Sequence, residues 1–458
     1  MNPVAGALRR IDVSDRKLQA GAAVAGLVLV GLWLAVGIGT SQYERVAVVF
    51  ALLLAPFAIV LALRRPMLFP YALYVIMIPF DNMLSLGKAG TLTKFLALAA
   101  VLTIAVNIVR TRRFVRPGPA FGLWCAFWLF ALFGLIWTPD VPAGWQFVQS
   151  FGYIIVLYGI LAIAPLNERD LRAILTCIVV GGTLAAIYGI VLFHDSLGQA
   201  ANESGRLYVN VDNRAIDSNH FANALLAPLT IALVALLRAR SAAVMFGALL
   251  AVVLCGGAIV MTLSREALAA CVLIVFVIVI FSKRRLLAAA IAVPAVALIP
   301  VLIPSVGARI QSAVLEHGGG RNYIWHVVVL AWQQHPWVGW GTGGAIYAYN
   351  ANYLRVYATV VEYWGRPPHN AYLHVVVELG IVGLILFCAA LFAAFADLKR
   401  VPRTHPLYDV RVMLTASLVA LFFVAMFIDL ADYKYLWVII AAAAQYRLVV
   451  TRPAAQSP

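Results

Sequence analysis

The sequence predicts an all-α polytopic membrane protein, with about 12–14 transmembrane helices and one long helical loop outside the membrane. Of its 458 residues, 64% are hydrophobic and only 12% are charged, whereas an ordinary soluble domain has about 25% charged residues. The mean hydropathy is +0.93. No strand alternation, heptad repeat or low-complexity tract stands out, so helices that span a membrane are the expected elements.

The apolar runs give the helix count, because a spanning helix needs about 20 mostly apolar residues. The first run, which starts at Leu18, lacks a clear small-residue cleavage signal, so we interpret it as a retained helix. The third and last runs are short and could be interfacial. The runs cover residues 18–39, 46–63, 67–80, 95–109, 119–137, 146–165, 171–193, 220–237, 242–262, 266–281, 286–304, 371–395, 411–429 and 435–446.

Orientation follows from the basic residues in the short connections. With the N-terminus in the cytoplasm and the runs alternating, 23 of the 34 Lys and Arg residues fall on the inner side. The net charge of +15 is then explained mostly by topology, and no nucleic-acid partner is expected. The predicted organisation is a helical bundle over 1–304, an outer loop with interfacial helices over 305–370, and further transmembrane helices over 371–458.

Arg265 lies in a tight turn on the predicted outer side, between two apolar runs. The positive-inside bias disfavours an isolated outer arginine, and a guanidinium can hold phosphate oxygens in pairs without losing its proton. An anion contact is one interpretation. The other is a structural ion pair with the adjacent Glu266.

Arg321 follows three glycines, Gly318–Gly320, and opens an apparent helix over 322–335. A glycine-rich turn that enters a helix presents backbone N–H groups and the positive end of the helix dipole. Arg321 is therefore a candidate pyrophosphate contact. The alternative is a plain surface helix with a solvated arginine in its first turn.

His369 stands between two prolines and an apolar run, at a predicted helix N-terminus capped by Asn370. The helix end should lower the pKa of His369 and favour the neutral imidazole that a general base needs. A helix-capping histidine without chemistry is the alternative. His374 and Glu378 continue the same helix face at intervals of four, where ionisable residues are costly and often functional.

Other residues could complete the site. Arg214, in the polar segment before the eighth run, could join the arginines, although a helix cap by Asp217 or Ser218 also explains that segment.

Gly380 and Gly383 should allow close helix packing. Five cysteines lie in apolar runs and predict core packing, and no metal-binding, Walker A or Rossmann motif is present, so no metal or cofactor is expected. Aromatic residues of the loop could stack on sugars or form an interface belt: Trp325, Trp337, Trp340, Tyr347, Tyr349 and Trp364.

The Ser264–Arg265 turn, the string GGGRNYIWHVVVLAWQQHPWVGWGTG (318–343) and the string HNAYLHVVVELGIVG (369–383) together resemble the O-antigen ligase family. That superfamily also contains O-antigen polymerases and protein O-oligosaccharyltransferases. The resemblance covers residues 220–395 specifically. By motif match, Arg265, Arg321 and His369 correspond to the family's essential residues. Glu266 departs from the small residue that the family often has there.

The resemblance implies a bacterial inner-membrane enzyme whose outer loop is periplasmic. Its partners would be membrane lipids, an undecaprenyl-pyrophosphate-linked polysaccharide donor and a lipid A–core acceptor. The implied reaction is an inverting, metal-independent glycosyl transfer, with His369 as base and with Arg265, Arg321 and Arg214 at the pyrophosphate. The implied supporting residues are Asn370, His374, Glu378, Trp325 and Trp340. A polymerase, a protein O-oligosaccharyltransferase, and a transporter or flippase of an anionic lipid remain alternatives.

Overall fold

In a computed structural model, the described residues are 69–81, 91–195, 206–207, 209–211, 214–281, 289–290, 307–308, 311, 321–357, 364–429 and 433–451. All of them belong to one compact unit, Arg65–Pro458. The predicted runs 18–39 and 46–63 and nearly all of 286–304 lie outside the described residues.

Within those ranges, helices account for nearly all regular structure. The α-helices are α1 (Tyr71–Met77), α2 (Leu92–Thr111), α3 (Pro119–Phe133), α4 (Val141–Ile163), α5 (Glu168–Asp195), α6 (Ser218–Arg238), α7 (Ala242–Thr262), α8 (Arg265–Phe281), α9 (Arg321–Trp332), α10 (Ala345–Asn352), α11 (Ala371–Asp397), α12 (Tyr408–Val424) and α13 (Lys434–Thr451). Short 3₁₀ turns extend three of them: Ile78–Phe80, Gly134–Ile136 and Tyr353–Arg355.

Seven of the described helices are long and apolar enough to cross a membrane, which confirms the predicted all-α polytopic class. They are α2, α3 with its 3₁₀ extension, α4, α5, α6, α7 and α11. Each matches a predicted run with ends shifted by five residues or fewer. The predicted run 67–80 is only a short apolar helix.

A small antiparallel ribbon is the one described element that the sequence did not predict. Strand β1 (Val209–Val211) pairs with β2 (Arg214–Ile216), with Val209 opposite Ile216 and Val211 opposite Arg214. Each strand has three residues, which is too short for an alternating pattern to be recognised. The ribbon leads directly into α6.

The connections between helices lie at the two ends of the bundle. At one end, Val115 N–H donates to Ile163 O at 2.9 Å, and Arg447 pairs with Asp397 at 3.2 Å. This end carries the basic connections that were predicted to be cytoplasmic. At the other end lie the start of α6, the α7–α8 turn, and the starts of α9 and α11.

Residues 321–357 form a packed layer at this second end. Helix α9 buries Ile324, Val327, Val328 and Ala331 against α10 and Val377 of α11. The helix was predicted to extend to His335, but it ends at Trp332. Pro336 explains the earlier end, because the residue before a proline is disfavoured in helical geometry.

Helix α11 is broken at Gly380, whose φ of 62° and ψ of −166° are not helical. This backbone region is nearly restricted to glycine. The sequence predicted close helix packing here, whereas the close neighbour is the loop after α9. Loop residues satisfy the four backbone groups exposed by the break: Trp340 N–H donates to Val377 O, Gly341 N–H to Glu378 O, Ile381 N–H to Pro336 O, and Val382 N–H to Trp337 O, at 2.8–3.3 Å.

The substitution Gly380→Ala should destabilise the protein by at least about 2–3 kcal/mol. A Cβ at this position would lie 2.2 Å from the carbonyl carbon and oxygen of Trp337. The measurement is the thermal unfolding midpoint in detergent. Gly247→Ala is the matched control, because a Cβ there meets no atom within 4 Å and alanine favours the helix. Equal midpoints for the two variants would refute a required break.

Candidate active site

The turn between α7 and α8 positions Arg265. Helix α7 ends at Thr262, and Leu263 adopts a left-handed conformation with a φ of 51°. Ser264 is fully buried, and its N–H donates to Thr262 Oγ1 at 3.3 Å. Helix α8 then begins at Arg265, which is half-buried. The guanidinium thus stands at a helix N-terminus, where the helix dipole also favours an anion.

An ion pair with Glu266 holds Arg321 beside the start of α8. The Arg321 Nη2 atom lies 3.7 Å from Glu266 Oε1, and the Glu266 side chain is only 6% exposed. Glu266 was considered as a partner of Arg265, and the structure pairs it with Arg321. Because Arg265 and Arg321 are the first residues of α8 and α9, this ion pair joins two helix N-termini that each carry an arginine.

Hydrogen bonds at Pro368 and at Asn370 hold the chain on either side of His369. The Trp325 indole N–H donates to Pro368 O at 3.1 Å. Asn370 caps α11 as predicted, and its Oδ1 accepts from the N–H groups of Tyr372 and Leu373 at 3.0 Å each. Between them, His369 has a φ of 49°, a left-handed conformation that non-glycine residues seldom adopt and that is enriched at functional sites.

The pKa of His369 is lowered from its usual value. Desolvation by surrounding protein atoms is the largest cause and lowers this pKa. Asp429 opposes it as the second-largest cause, Arg321 and His220 lower the pKa further, and Asp217 raises it slightly. The lowered pKa agrees in direction with the prediction. Its main cause is partial desolvation by neighbouring atoms and not the helix end, and His369 itself remains exposed to solvent. The imidazole is therefore neutral at pH 7 and able to accept a proton.

The His374 side chain of α11 contacts two carboxylates, one of them in the same helix. Its Nδ1 atom lies 2.9 Å from Asp429 Oδ1, and its Nε2 atom lies 3.1 Å from Glu378 Oε1. The same Glu378 oxygen accepts from Ala345 N–H, the first residue of α10, at 3.3 Å. The predicted shared face of His374 and Glu378 is confirmed. Asp429 was not identified from the sequence, although an acidic residue at the end of the apolar run 411–429 was a usable signal.

Residues 206–219, which lead into α6, have mainly structural contacts. The Arg206 Nε–H donates to Thr262 O at 2.9 Å, and its Nη2 donates to Asn219 Oδ1 at 2.8 Å. Asp217 caps α6 by accepting from Asn219 N–H at 2.8 Å. The Arg214 backbone is in β2, while its side chain and Gly318–Gly320 lie outside what the structure describes.

The aromatic residues divide into buried and exposed groups. The Trp340 indole N–H donates to Ala331 O at 2.8 Å, so Trp340, like Trp325, helps to hold the loop in place. Tyr349 is fully buried and cannot stack on a sugar, which corrects that prediction. Exposed rings remain at Trp337, Tyr347 and Trp364.

The five cysteines are all free. Only Cys255 is buried, so the predicted core packing is seen for Cys255, while the other four are partly exposed. Across the described ranges, no three His, Cys, Asp or Glu side chains are grouped as metal ligands would be. The nearest grouping is His374 with its two carboxylates, and both ring nitrogens of His374 are already used in hydrogen bonds.

Comparison with known proteins addresses the segment that carries this site. Residues 250–388 match the family model described as O-Antigen ligase. The match includes Arg265, Arg321 and His369, and it extends through the break at Gly380. A search of curated proteins found no match to this chain. Members of the matched family are membrane glycosyltransferase-like enzymes. Residues 250–388 are therefore similar to the O-antigen ligase family, which supports the resemblance that the motifs predicted.

Proposed function

We propose that this protein transfers a polysaccharide from undecaprenyl pyrophosphate to a sugar hydroxyl of lipid A–core, with inversion and without a metal ion. One observation carries the proposal. Two helix N-termini that begin with Arg265 and Arg321 are joined through Glu266, and Arg321 acts electrostatically on His369. An anion-binding pair thus adjoins a neutral base.

The arginines would act on the donor. A lipid pyrophosphate is a good leaving group, and negative charge builds up on its bridging oxygen as the glycosidic bond breaks. Preorganised cations at that oxygen stabilise the transition state more than the ground state. Arg265 and Arg321 would supply this charge together with the N–H groups of two helix ends. Arg214 would be a third contact.

His369 would act on the acceptor. The acceptor hydroxyl oxygen attacks the anomeric carbon from the face opposite the pyrophosphate, which inverts that carbon. The hydroxyl proton passes to the neutral His369 imidazole, and the pyrophosphate takes the electron pair of the broken bond. Because the pKa of His369 is lowered, the base is already deprotonated before the acceptor binds.

The protein is a multi-pass membrane protein, and we propose that it lies in the bacterial inner membrane with this site facing the periplasm. The arrangement of the connections supports that orientation. The site lies at the end of the bundle opposite the basic residues of the Arg110–Arg116 and Lys399–Arg403 connections. Under the positive-inside rule, these connections belong in the cytoplasm.

A transporter would also need a membrane bundle, and a broken helix is typical of transporter binding sites. In those sites, the freed backbone groups contact the substrate or its coupling ion. Here the groups freed at Gly380 are hydrogen-bonded to the loop at 336–341, so they are not available to a ligand. The geometry therefore favours an enzyme. An O-antigen polymerase or a protein O-oligosaccharyltransferase would differ in the acceptor.

Transfer by the purified protein tests the proposal. With a lipid-linked polysaccharide donor, lipid A–core should become glycosylated, while a second lipid-linked repeat or a protein acceptor should not. Transfer only to the lipid-linked repeat would make the protein a polymerase. The His369→Asn variant provides the background, because asparagine tolerates the left-handed backbone better than alanine. Donor depletion that is equal for wild type and His369→Asn would contradict the assigned base.

Substitutions of the histidine and of the arginines should differ in their effect on donor affinity. His369→Asn should lose about 10²–10⁴-fold of the transfer rate and keep its donor affinity. Arg265→Gln and Arg321→Gln should lose donor affinity as well, and lysine at either position should restore it only in part, because lysine lacks the bidentate fork.

Two controls sharpen this comparison of donor affinities in nanodiscs. Arg355→Ala removes an exposed arginine of the same loop and should leave donor affinity unchanged. Arg321→Gln with Glu266→Gln avoids an unpaired buried carboxylate, so it separates loss of a phosphate contact from misfolding. Loss of donor affinity in His369→Asn, with full affinity in both arginine variants, would reverse the assigned roles.

A further inference from the structure

Four exposed arginines follow one another closely where α2 ends, at the opposite end of the bundle from the candidate active site. They lie in the arginine connection, which is residues 110–116, and they are Arg110, Arg112, Arg113 and Arg116. No acidic residue occurs in the sequence between Asp81 and Asp140. The connection therefore concentrates positive charge that no acidic residue nearby in the sequence offsets.

Acidic side chains neutralise other arginines at this end of the bundle. Arg172 lies 3.0 Å from each of two carboxylates, those of Glu168 and Asp409. Arg447 lies 3.2 Å from the Asp397 carboxylate. In the part of the chain that the structure describes, none of the four guanidinium groups of the arginine connection has such a partner. They are therefore available to an anion from outside the chain.

The backbone at Arg112 has a conformation that an arginine seldom adopts. Arg112 directly follows α2 with a φ of 50° and a ψ of 27°, in the left-handed region. Glycine is the usual residue at such a position, because a Cβ is disfavoured there. Among the described residues other than glycine, only Leu263 and His369 also have a positive φ, and both lie in segments that build the candidate active site. Residues of this kind cluster at functional sites, so the Arg112 side chain is kept here at a conformational cost.

Exposed apolar side chains lie beside the arginines. Val109 is 75% exposed and Phe114 is 73% exposed, and few large apolar side chains in the described ranges are as exposed. Phe114 is also held in place, because the next residue, Val115, donates its N–H to Ile163 O at 2.9 Å. Arginines interleaved with exposed apolar side chains at the end of a spanning helix are typical of an element that contacts both the headgroups and the acyl chains of a membrane.

We propose that the arginine connection binds the phosphate groups of anionic phospholipids, with their acyl chains against Val109 and Phe114. A guanidinium donates paired hydrogen bonds to a phosphate and stays charged, and basic clusters directly beside a spanning helix attract anionic lipids. The exposed apolar side chains favour a lipid over a soluble anion. Under the positive-inside rule the connection faces the cytoplasm, so the ligands are lipids of the inner leaflet. This site is separate from the proposed glycosyl transfer and does not depend on it.

Native mass spectrometry of the purified protein in a neutral detergent measures this binding. Phosphatidylglycerol is the probe, and phosphatidylcholine, which carries no net charge, is the comparison. In wild type, phosphatidylglycerol should bind with the lower apparent Kd. The triple variant Arg112→Gln, Arg113→Gln and Arg116→Gln should raise that Kd at least about 10-fold, because each basic residue near a lipid surface contributes about 5-fold. Its Kd for phosphatidylcholine should not change.

The matched control removes the same charge from another basic connection at this end, by Lys399→Gln, Arg400→Gln and Arg403→Gln. These three residues are exposed, but no exposed large apolar side chain lies among residues 398–407. The control should keep the wild-type affinity for phosphatidylglycerol. Equal losses in the two triple variants, or equal wild-type affinities for the two lipids, would overturn the proposal, because the lipid would then respond only to net charge or not to charge at all.

Arg112→Gly separates lipid binding from stability. Glycine adopts the left-handed backbone without strain, so the thermal unfolding midpoint of this variant in lipid-free neutral detergent should be no lower than that of wild type. Its apparent Kd for phosphatidylglycerol should nevertheless rise about 2- to 5-fold. A lower midpoint together with an unchanged Kd would count against the proposal, because Arg112 would then serve the fold alone.

The apolar part of the site distinguishes a lipid from a soluble anion. Phe114→Ser should weaken the binding of phosphatidylglycerol, whereas Phe133→Ser, which changes an exposed phenylalanine at the opposite end, should not. Glycerol phosphate, which has the phosphate without the acyl chains, should not displace the lipid when added in excess. Displacement by glycerol phosphate, with full lipid affinity in Phe114→Ser, would overturn the assignment to a lipid. None of these measurements involves glycosyl transfer, so failure of the proposed function would leave them unaffected.

Discussion

The break of α11 at Gly380 is the constraint on which the rest of this end of the protein depends. An interrupted helix exposes carbonyl and N–H groups that must find partners, because leaving them unpaired in an apolar setting costs several kcal/mol each. The loop at 336–341 supplies all four partners with its own backbone. The conformation of the loop and the break in the helix therefore depend on each other. Gly339 reinforces this fit, since a Cβ there would lie 2.4 Å from the Glu378 carbonyl carbon.

The consequences of the break reach the candidate active site along α11. Glu378, two residues before the break, accepts from the start of α10 and contacts His374. His374 in turn holds Asp429, which influences the pKa of His369. On the other side, Trp325 of α9 anchors the chain directly before His369. The proposed base thus stands on a packed frame, which is how enzymes keep reacting groups in position.

Sequence reasoning was sufficient for features that are set by residues close together in the chain. The helix α7 was predicted with both ends correct, because its apolar run and turn residues are local signals. The Asn370 cap was predicted for the same reason. The break at Gly380, the pairing of Arg321 with Glu266 and the hydrogen bond between His374 and Asp429 were not predicted. Each depends on segments far apart in the chain, and a single sequence does not show which of them meet.

Hydrogen exchange of backbone amides measures the central constraint most directly. If loop residues fill the break in α11, the amides of Trp340 and Gly341 should exchange as slowly as those in the interior of α11, although both residues lie outside any helix. The amides of Arg400 and Arg403, two exposed residues in the connection at the opposite end, provide the reference for an exposed loop. Exchange of Trp340 and Gly341 as rapid as in that connection would contradict the account, because the loop would then not hold α11 or the site built upon it.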